Sequence, residues 1–187
     1  GGFAAPLFLW LAGLAVVLAA TRMVERTGSR RSASEMICRR GLEIFILAFL
    51  FRLQAFIISP GGWLVTIFKV DILNVMGPAI VAAGLIWAVL ESPAGLVAAY
   101  GAAAAAVAML TPIMRLAPWV GQLPIWVQWH LRPAGDYTTF TLFPWSGFVF
   151  AGAAVGVVIA RWARPAGCGA VRTEHWLHLA LAAGGVA

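Results

Sequence analysis

The stretch Phe68–Trp87, FKVDILNVMGPAIVAAGLIW, decides how the chain is read. From Ile72 onward it belongs in lipid, yet Lys69 and Asp71 stand at its mouth and Asn74 falls one turn inside. The composition says which solvent surrounds it. Of 187 residues, 62% are hydrophobic and 11% are charged, whereas soluble domains run near about 45–50% and about 25%. That is more apolar surface than one water-facing core can hide. The expected fold is an all-α, polytopic transmembrane helical bundle, with the lipid bilayer as its first partner.

A helix needs about 20 apolar residues, and at least about 17, to cross the hydrocarbon. Five segments are predicted to do so: Ala4–Ala20, Gly41–Ser59, Ile72–Leu90, Leu96–Met114 and Phe140–Ala160. A sixth begins near Trp176 and is cut off. The sequence starts GGFAAPLFLW, without Met, and stops inside HWLHLALAAGGVA. It therefore reads as a fragment of a longer protein, residues 1–187 forming one transmembrane domain truncated at both ends. No charged n-region precedes the first apolar run, so that run is not read as a signal peptide.

The loop after the first span carries Arg22, Arg26, Arg30, Arg31, Arg39 and Arg40, and the loop after the fifth carries Arg161, Arg164 and Arg172. Alternating the spans leaves only Lys69, Arg115 and Arg132 on the other side. Cytoplasmic loops collect Lys and Arg, so the first span is predicted to run from outside to inside. The same bias explains the pI of about 10.7 without nucleic acid, which is excluded as a partner. Cys38 and Cys168 fall in the inner loops, where thiols stay reduced, and match no metal spacing. The long outer loop, Arg115 to Thr139, interleaves Trp119, Trp126 and Trp129 with prolines; tryptophans there are expected as interfacial anchors, and the alternative is that the loop lies over an outward-facing cavity. Gly152 and Gly156 in GAAVG and the GAAAAAVA run from Gly101 are expected to let helix backbones approach closely.

Charges inside the bilayer cost about 2.5–3.5 kcal/mol each on insertion scales, so each needs a partner or water. Glu43, at the inner end of the second span, has Arg39 four and Arg40 three residues before it, close enough for an ion pair. Alternatively, this Arg-Arg-Gly helix start receives the phosphates of a nucleotide-like cofactor. Arg52 lies on the opposite helix face from Glu43 and too far outward to reach the inner water, with Gln54 close behind. On the next span Asp71, Asn74 and Pro78 fall within about 60° of one another at the same outer depth. An Arg52–Asp71 ion pair is therefore predicted. It either pins two helices together or lines an outer polar cavity in which Asp71 or Asn74 orients a substrate or a catalytic group. Pro144 and Trp145 open the fifth span at that depth, Trp145 as an anchor or as a wall of the same cavity. His130 is the only outer histidine, a base or a plain loop residue; His175 and His178 flank the sixth span on the inner side. No metal constellation, phosphate loop or catalytic triad order can be assembled.

Four phrases carry a family likeness: APLFLWLAGLAVVLA at Ala5–Ala19, RRGLEIFILAFLFRLQ at Arg39–Gln54, VDILNVMGPAIV at Val70–Val81 and LFPWSGFVFAGAAVG at Leu142–Gly156. In this order the chain resembles bacterial membrane proteins with the heparan-α-glucosaminide N-acetyltransferase catalytic domain, related to the acyltransferase-3 families. The resemblance implies a multi-pass enzyme that takes acetyl groups from cytosolic acetyl-CoA, without a metal, and delivers them to an amino or hydroxyl group of an outer sugar. It also implies that the family's catalytic histidine lies upstream of Gly1. The residues expected to remain are Arg39 and Arg40 for the CoA phosphates, Arg52, Asp71 and Asn74 near the transfer site, and Gln54, His130 and Trp145 towards the acceptor. A homodimer is compatible with this reading. The rivals are a transporter or flippase gated by Arg52 and Asp71, and a membrane scaffold without activity.

Overall fold

The computed structural model describes residues 3–58, 64–133 and 137–163. They form six helices: α1 (Ala4–Thr27), α2 (Arg30–Ile58), α3 (Ile72–Val89), α4 (Pro93–Leu116), α5 (Ile125–Leu131) and α6 (Leu142–Trp162). Short 3-10 turns occupy Leu64–Phe68 and Pro118–Gln122. All except α5 are long and apolar enough to cross a membrane. The protein is thus a multi-pass, all-α membrane protein, and no strand occurs among the described residues. The expected sixth span, with Cys168, His175 and His178, lies outside them.

The largest departure from the sequence reading is at the arginine-rich end. The stretch 21–40, expected as a loop, is nearly all helix, because α1 runs on to Thr27 and α2 begins at Arg30. Only Gly28 and Ser29 reverse the chain. Gly28 takes φ 67°, and its N–H donates to the carbonyl of Val24 at 2.8 Å; this left-handed closure costs a glycine little because it has no Cβ. Ser29 Oγ then accepts the N–H of Ser32 at 3.2 Å, which caps the start of α2. Apolarity stops where lipid stops, but the helix continues into water, carried by Arg31–Glu35 and Arg39–Glu43 pairs four residues apart, each at 2.9 Å.

The helices pack in pairs: α1 on α6, α2 on α3, and α4 on α6. Backbones touch where α1 crosses α6. A Cβ placed on Gly13 would sit 1.9 Å from the carbonyl oxygen of Val149, and one on Gly152 would sit 1.9 Å from that of Trp10. One turn on, a Cβ on Gly156 would meet the Leu14 carbonyl oxygen at 3.0 Å. The expected close approach at GAAVG is therefore present. The alanine run behaves differently: Gly101 faces open space, Ala102, Ala105 and Ala106 are exposed, and only its Ala103 and Ala104 face, with Val107, packs on the core. Gly152→Ala is thus expected to destabilise the bundle by about 2 kcal/mol or more, read as a lowered unfolding midpoint in detergent. Gly101→Ala is expected to leave the midpoint unchanged or raise it slightly. Equal midpoints for the two variants would contradict this packing.

The core runs along α3, through Met76, Ala79, Ile80, Ala83 and Trp87, against Leu9, Val17, Tyr100, Val149 and Phe150. Tyr100 Oη donates to the Ala83 carbonyl at 2.9 Å, so this buried hydroxyl is satisfied. α3 is the most enclosed of the five spans. Its two ends therefore set two polar places: Asp71 and Asn74 at the end predicted to face outside, called the outer end below, and Trp87 at the arginine-rich end.

Over the outer end the connection between α4 and α6 folds back instead of spreading as a loop. Val70 N–H donates to the Tyr137 carbonyl at 3.1 Å, and Thr139 N–H donates to the Val70 carbonyl at 3.2 Å. Trp129 of α5 is buried with Val70 and Val75, and its ring stacks on Tyr137 with centroids 4.8 Å apart. Trp119 and Trp126 are exposed, as interfacial anchors are. Trp129 departs from that expectation because a whole indole is needed to fill the space between α5 and the start of α3.

Candidate functional site

The site lies on the seam between the outer ends of α2 and α3, under α5. Phe45, Phe49 and Arg52 recur at helical spacing on α2, and Asp71, Asn74 and Gly77 recur on α3. The two helices run antiparallel and nearly touch at one level, where a Cβ on Gly77 would meet Phe45 Cβ at 2.7 Å. Phe45 packs edge-on against Phe49 at 5.1 Å, and Phe49 against Phe68 at 6.2 Å, so an aromatic wall separates the polar groups from lipid.

At the outer end of the seam Arg52 Nη2 binds Asp71 Oδ2 as an ion pair. The predicted partners are brought together. Their side chains are 27% and 36% exposed, so the pair is not sealed away. Asp71 also begins α3 and closes a capping box with Asn74. In that box Asn74 Oδ1 accepts the N–H of Asp71 at 3.1 Å. Only an oxygen can accept that proton, which fixes the amide orientation and leaves Nδ2 as a donor. Asn74 is 1% exposed, and its Nδ2 has no hydrogen-bond partner among the described residues. The same holds for Arg52 Nε.

His130, near the end of α5, reaches the same seam, its ring centroid 6.4 Å from that of Phe45. Its Nδ1 lies 2.8 Å from the Trp126 carbonyl. A carbonyl only accepts, so Nδ1 carries the proton and Nε2 of the neutral ring keeps a lone pair. Nε2 is buried and has no partner among the described residues. Burial pushes the His130 pKa below its ordinary value, and the bond to Trp126 offsets this in part. The sign for stability follows. The unfolded chain takes up a proton on this histidine at a higher pH than the folded one does, so stability falls as pH drops from the ordinary histidine range towards the lowered value. The melting temperature is expected to fall by a few degrees between neutral pH and about pH 5.5, and His130→Gln is expected to flatten that slope. An identical slope in the variant would remove His130 from this role.

The other expected residues separate. Trp145 stands in the first turn of α6, half-buried, edge-on to Phe140 at 4.7 Å and packed against the Val70, Val75 and Trp129 cluster. It walls the α5 side of the outer end. Gln54 departs from expectation: it is exposed, because two residues of helix rotate it about 200° from Arg52. Arg39 and Arg40 lie at the arginine-rich end, largely exposed, and bind Glu43 at 2.9 and 3.3 Å. They border an open hollow of about 580 Å³. A more enclosed cavity of about 490 Å³ lies nearby, lined by Arg30, Trp87, Glu91 and Arg161 among others. The sequence marked Arg30 and Arg161 only as orientation signals; that a tryptophan should end α3 beside an arginine-capped turn was the available hint.

Around this end of the α2–α3 pair stand a buried hydrogen-bond acceptor without a partner among the described residues, His130 Nε2, and two such donors, Asn74 Nδ2 and Arg52 Nε, on three elements. Such a set can hold a hydroxyl or amine and stabilise a nearby oxyanion. Among the described residues no cluster of three or more His, Cys, Asp or Glu side chains could hold a metal. The family model described as "Heparan-alpha-glucosaminide N-acetyltransferase, catalytic" matches residues 1–184. No curated protein and no solved structure matches the chain.

Proposed function

The chain belongs to the heparan-alpha-glucosaminide N-acetyltransferase catalytic family, and on that premise we propose that it transfers acetyl groups from cytosolic acetyl-CoA to an amino or hydroxyl group of an extracytoplasmic sugar. In this reading the donor arrives at the arginine-rich end, with Arg39 and Arg40 as part of a basic rim, and the acceptor at the outer seam. The membrane is then a bacterial inner membrane. The observation that carries the proposal is the set of buried, unpartnered polar atoms at the seam, since such atoms in a native fold call for a ligand, ion or water.

The chemistry asks little of the protein beyond placement. The acceptor's lone pair attacks the thioester carbonyl carbon, the C–S bond breaks, CoA leaves as the thiol or thiolate, and the acceptor gives up a proton to a base. Asn74 Nδ2–H donates to the carbonyl oxygen as charge grows there, and Arg52 Nε–H adds a second donor. His130 Nε2 accepts the hydrogen bond of the attacking group and orients its lone pair. Asp71 holds Arg52 and fixes Asn74 through the capping box. Trp145 offers an apolar face to the sugar ring.

The test is transfer across a sealed bilayer. Full-length protein in proteoliposomes receives acetyl-CoA on the arginine-rich side and a panel of amino and neutral sugars on the other. The expected result is acetylated sugar and free CoA thiol in equal amounts. Sugar that crosses unmodified, or no thiol release with any acceptor, would overturn the proposal, the first outcome in favour of a transporter.

A further inference from the structure

The cavity of about 490 Å³ at the arginine-rich end is built from the ends of α1, α3, α4 and α6, with Arg30 entering from α2. Its volume lies in the range of ordinary ligand pockets. Arg30 is held in one position. Its Nη2 donates to the carbonyls of Trp87 at 2.8 Å and Leu90 at 2.5 Å, capping the last turn of α3, and the guanidinium lies 4.7 Å from the centroid of the Trp87 ring. Among the N–H groups that these contacts leave over, two are buried. Arg30 Nε and Trp87 Nε1 are buried and have no partner among the described residues, and Trp87 is only 5% exposed. Two rigid donors on residues lining one cavity define a place for an acceptor.

The charges narrow the class of ligand. Arg30 and Arg161 supply two cations and Glu91 one carboxylate. The excess of positive charge attracts an anion. The carboxylate favours a ligand that also carries donors, such as hydroxyl groups or an amine. A nucleotide combines phosphates, ribose hydroxyls and an exocyclic amine; the phosphatidylglycerol headgroup offers a phosphate and hydroxyls on a smaller frame, and inorganic phosphate is too small to span a cavity of about 490 Å³. The neighbouring hollow is a poorer seat because Arg39 and Arg40 are already bound to Glu43.

We infer that this cavity seats the adenine-nucleotide end of the acyl-CoA donor, with Trp87 Nε1–H and Arg30 Nε–H as its fixed donors and Arg161 facing phosphate. The assignment rests on the acetyl-CoA reading above. It moves the nucleotide contact from the Arg39–Arg40 rim to the wall between α3 and α6.

The experiment uses full-length protein in phosphatidylcholine nanodiscs, titrated calorimetrically with adenosine 3′,5′-bisphosphate and with CoA. Trp87→Phe keeps the ring and removes the N–H; Arg161→Gln changes an exposed side chain and protects the test should Trp87→Phe fail to fold. Each variant is expected to weaken bisphosphate binding about tenfold and to raise the KM for acetyl-CoA by a similar factor. Arg39→Gln/Arg40→Gln is expected to have a smaller effect on both. Wild-type affinity in both cavity variants, loss of binding only in the Arg39/Arg40 variant, or no binding of bisphosphate by the wild type would overturn the inference. So would displacement of bisphosphate by phosphatidylglycerol at ordinary membrane content, which would make the cavity a lipid site. Unchanged KM values alongside robust acetyl transfer would sink this assignment and leave the proposed function standing. Cavity-dependent bisphosphate binding without any acetyl transfer would do the reverse.

Discussion

Asn74→Asp is expected to lower the rate of acetyl transfer by about 10²–10³-fold, the usual cost of losing one donor to a developing oxyanion. The substitution isolates one atom. A carboxylate at this position still accepts the N–H of Asp71, as Asn74 Oδ1 now does at 3.1 Å, so the capping box survives. The added negative charge in the first turn of α3 is favourable to the helix dipole and lies close to the Arg52–Asp71 pair. The donor at Nδ2 is lost and a charge is added at a side chain only 1% exposed, so the unfolding midpoint is measured beside the rate. The effect should therefore fall on kcat, with the KM for acetyl-CoA unchanged, because the donor is proposed to act on charge that appears in the transition state. Equal activity with a correctly folded variant would show that Asn74 serves only to start α3.

The second large effect is expected from separating Arg52 and Asp71. Asn remains a good N-cap, so Asp71→Asn spares the start of α3 and removes only the counter-charge. Arg52 is then left in the outer half of a membrane helix. Its cost is bounded by the about 2.5–3.5 kcal/mol of insertion scales and reduced by its partial exposure, to about 1–2 kcal/mol. Acetyl transfer should drop about 10- to 100-fold as the released guanidinium swings away from the seam. Adding Arg52→Gln should recover most of the lost stability, since both charges are then gone, without recovering transfer. A double-mutant cycle on unfolding, with transfer measured in parallel, tests this. Recovery of both stability and turnover in the double variant would reduce the pair to a clamp between two helices.

The sequence made some of this legible for a clear reason. Charge is so costly in hydrocarbon that Arg52 and Asp71, on successive spans at one depth, could be paired without a structure. The span cores were equally plain, because apolarity over a crossing length has few other uses. What hydropathy could not mark was where helices end in water. It stopped the first span at Ala20 and began the second at Gly41, whereas helix persists through the arginines on either side of Gly28. The i,i+4 spacing of Arg31 and Glu35 was the signal for that continuation. Gln54 is close to Arg52 in sequence, but the helix turns it onto another, exposed face. The placement of His130 was hidden in another way. α5 has only seven residues, too few to be stable alone, and it forms because Trp129 is buried against Val70 and Val75. Nothing local announces such a contact, nor the reach of Arg30 to the carbonyls that end α3.

The pairing of Val70 with Tyr137 and Thr139 has a consequence for how an acceptor gets in. One residue before Asp71 shares both of its main-chain groups with the chain that follows α5. The roof carrying His130 and the doorstep carrying Asp71 are thus fastened by these two bonds together with the packing of Trp129 on Val70 and Val75. Under the proposed function, opening that fastening would wet the histidine and free the carboxylate in one event. The Val70 and Thr139 amides should accordingly lose their protection from deuterium together.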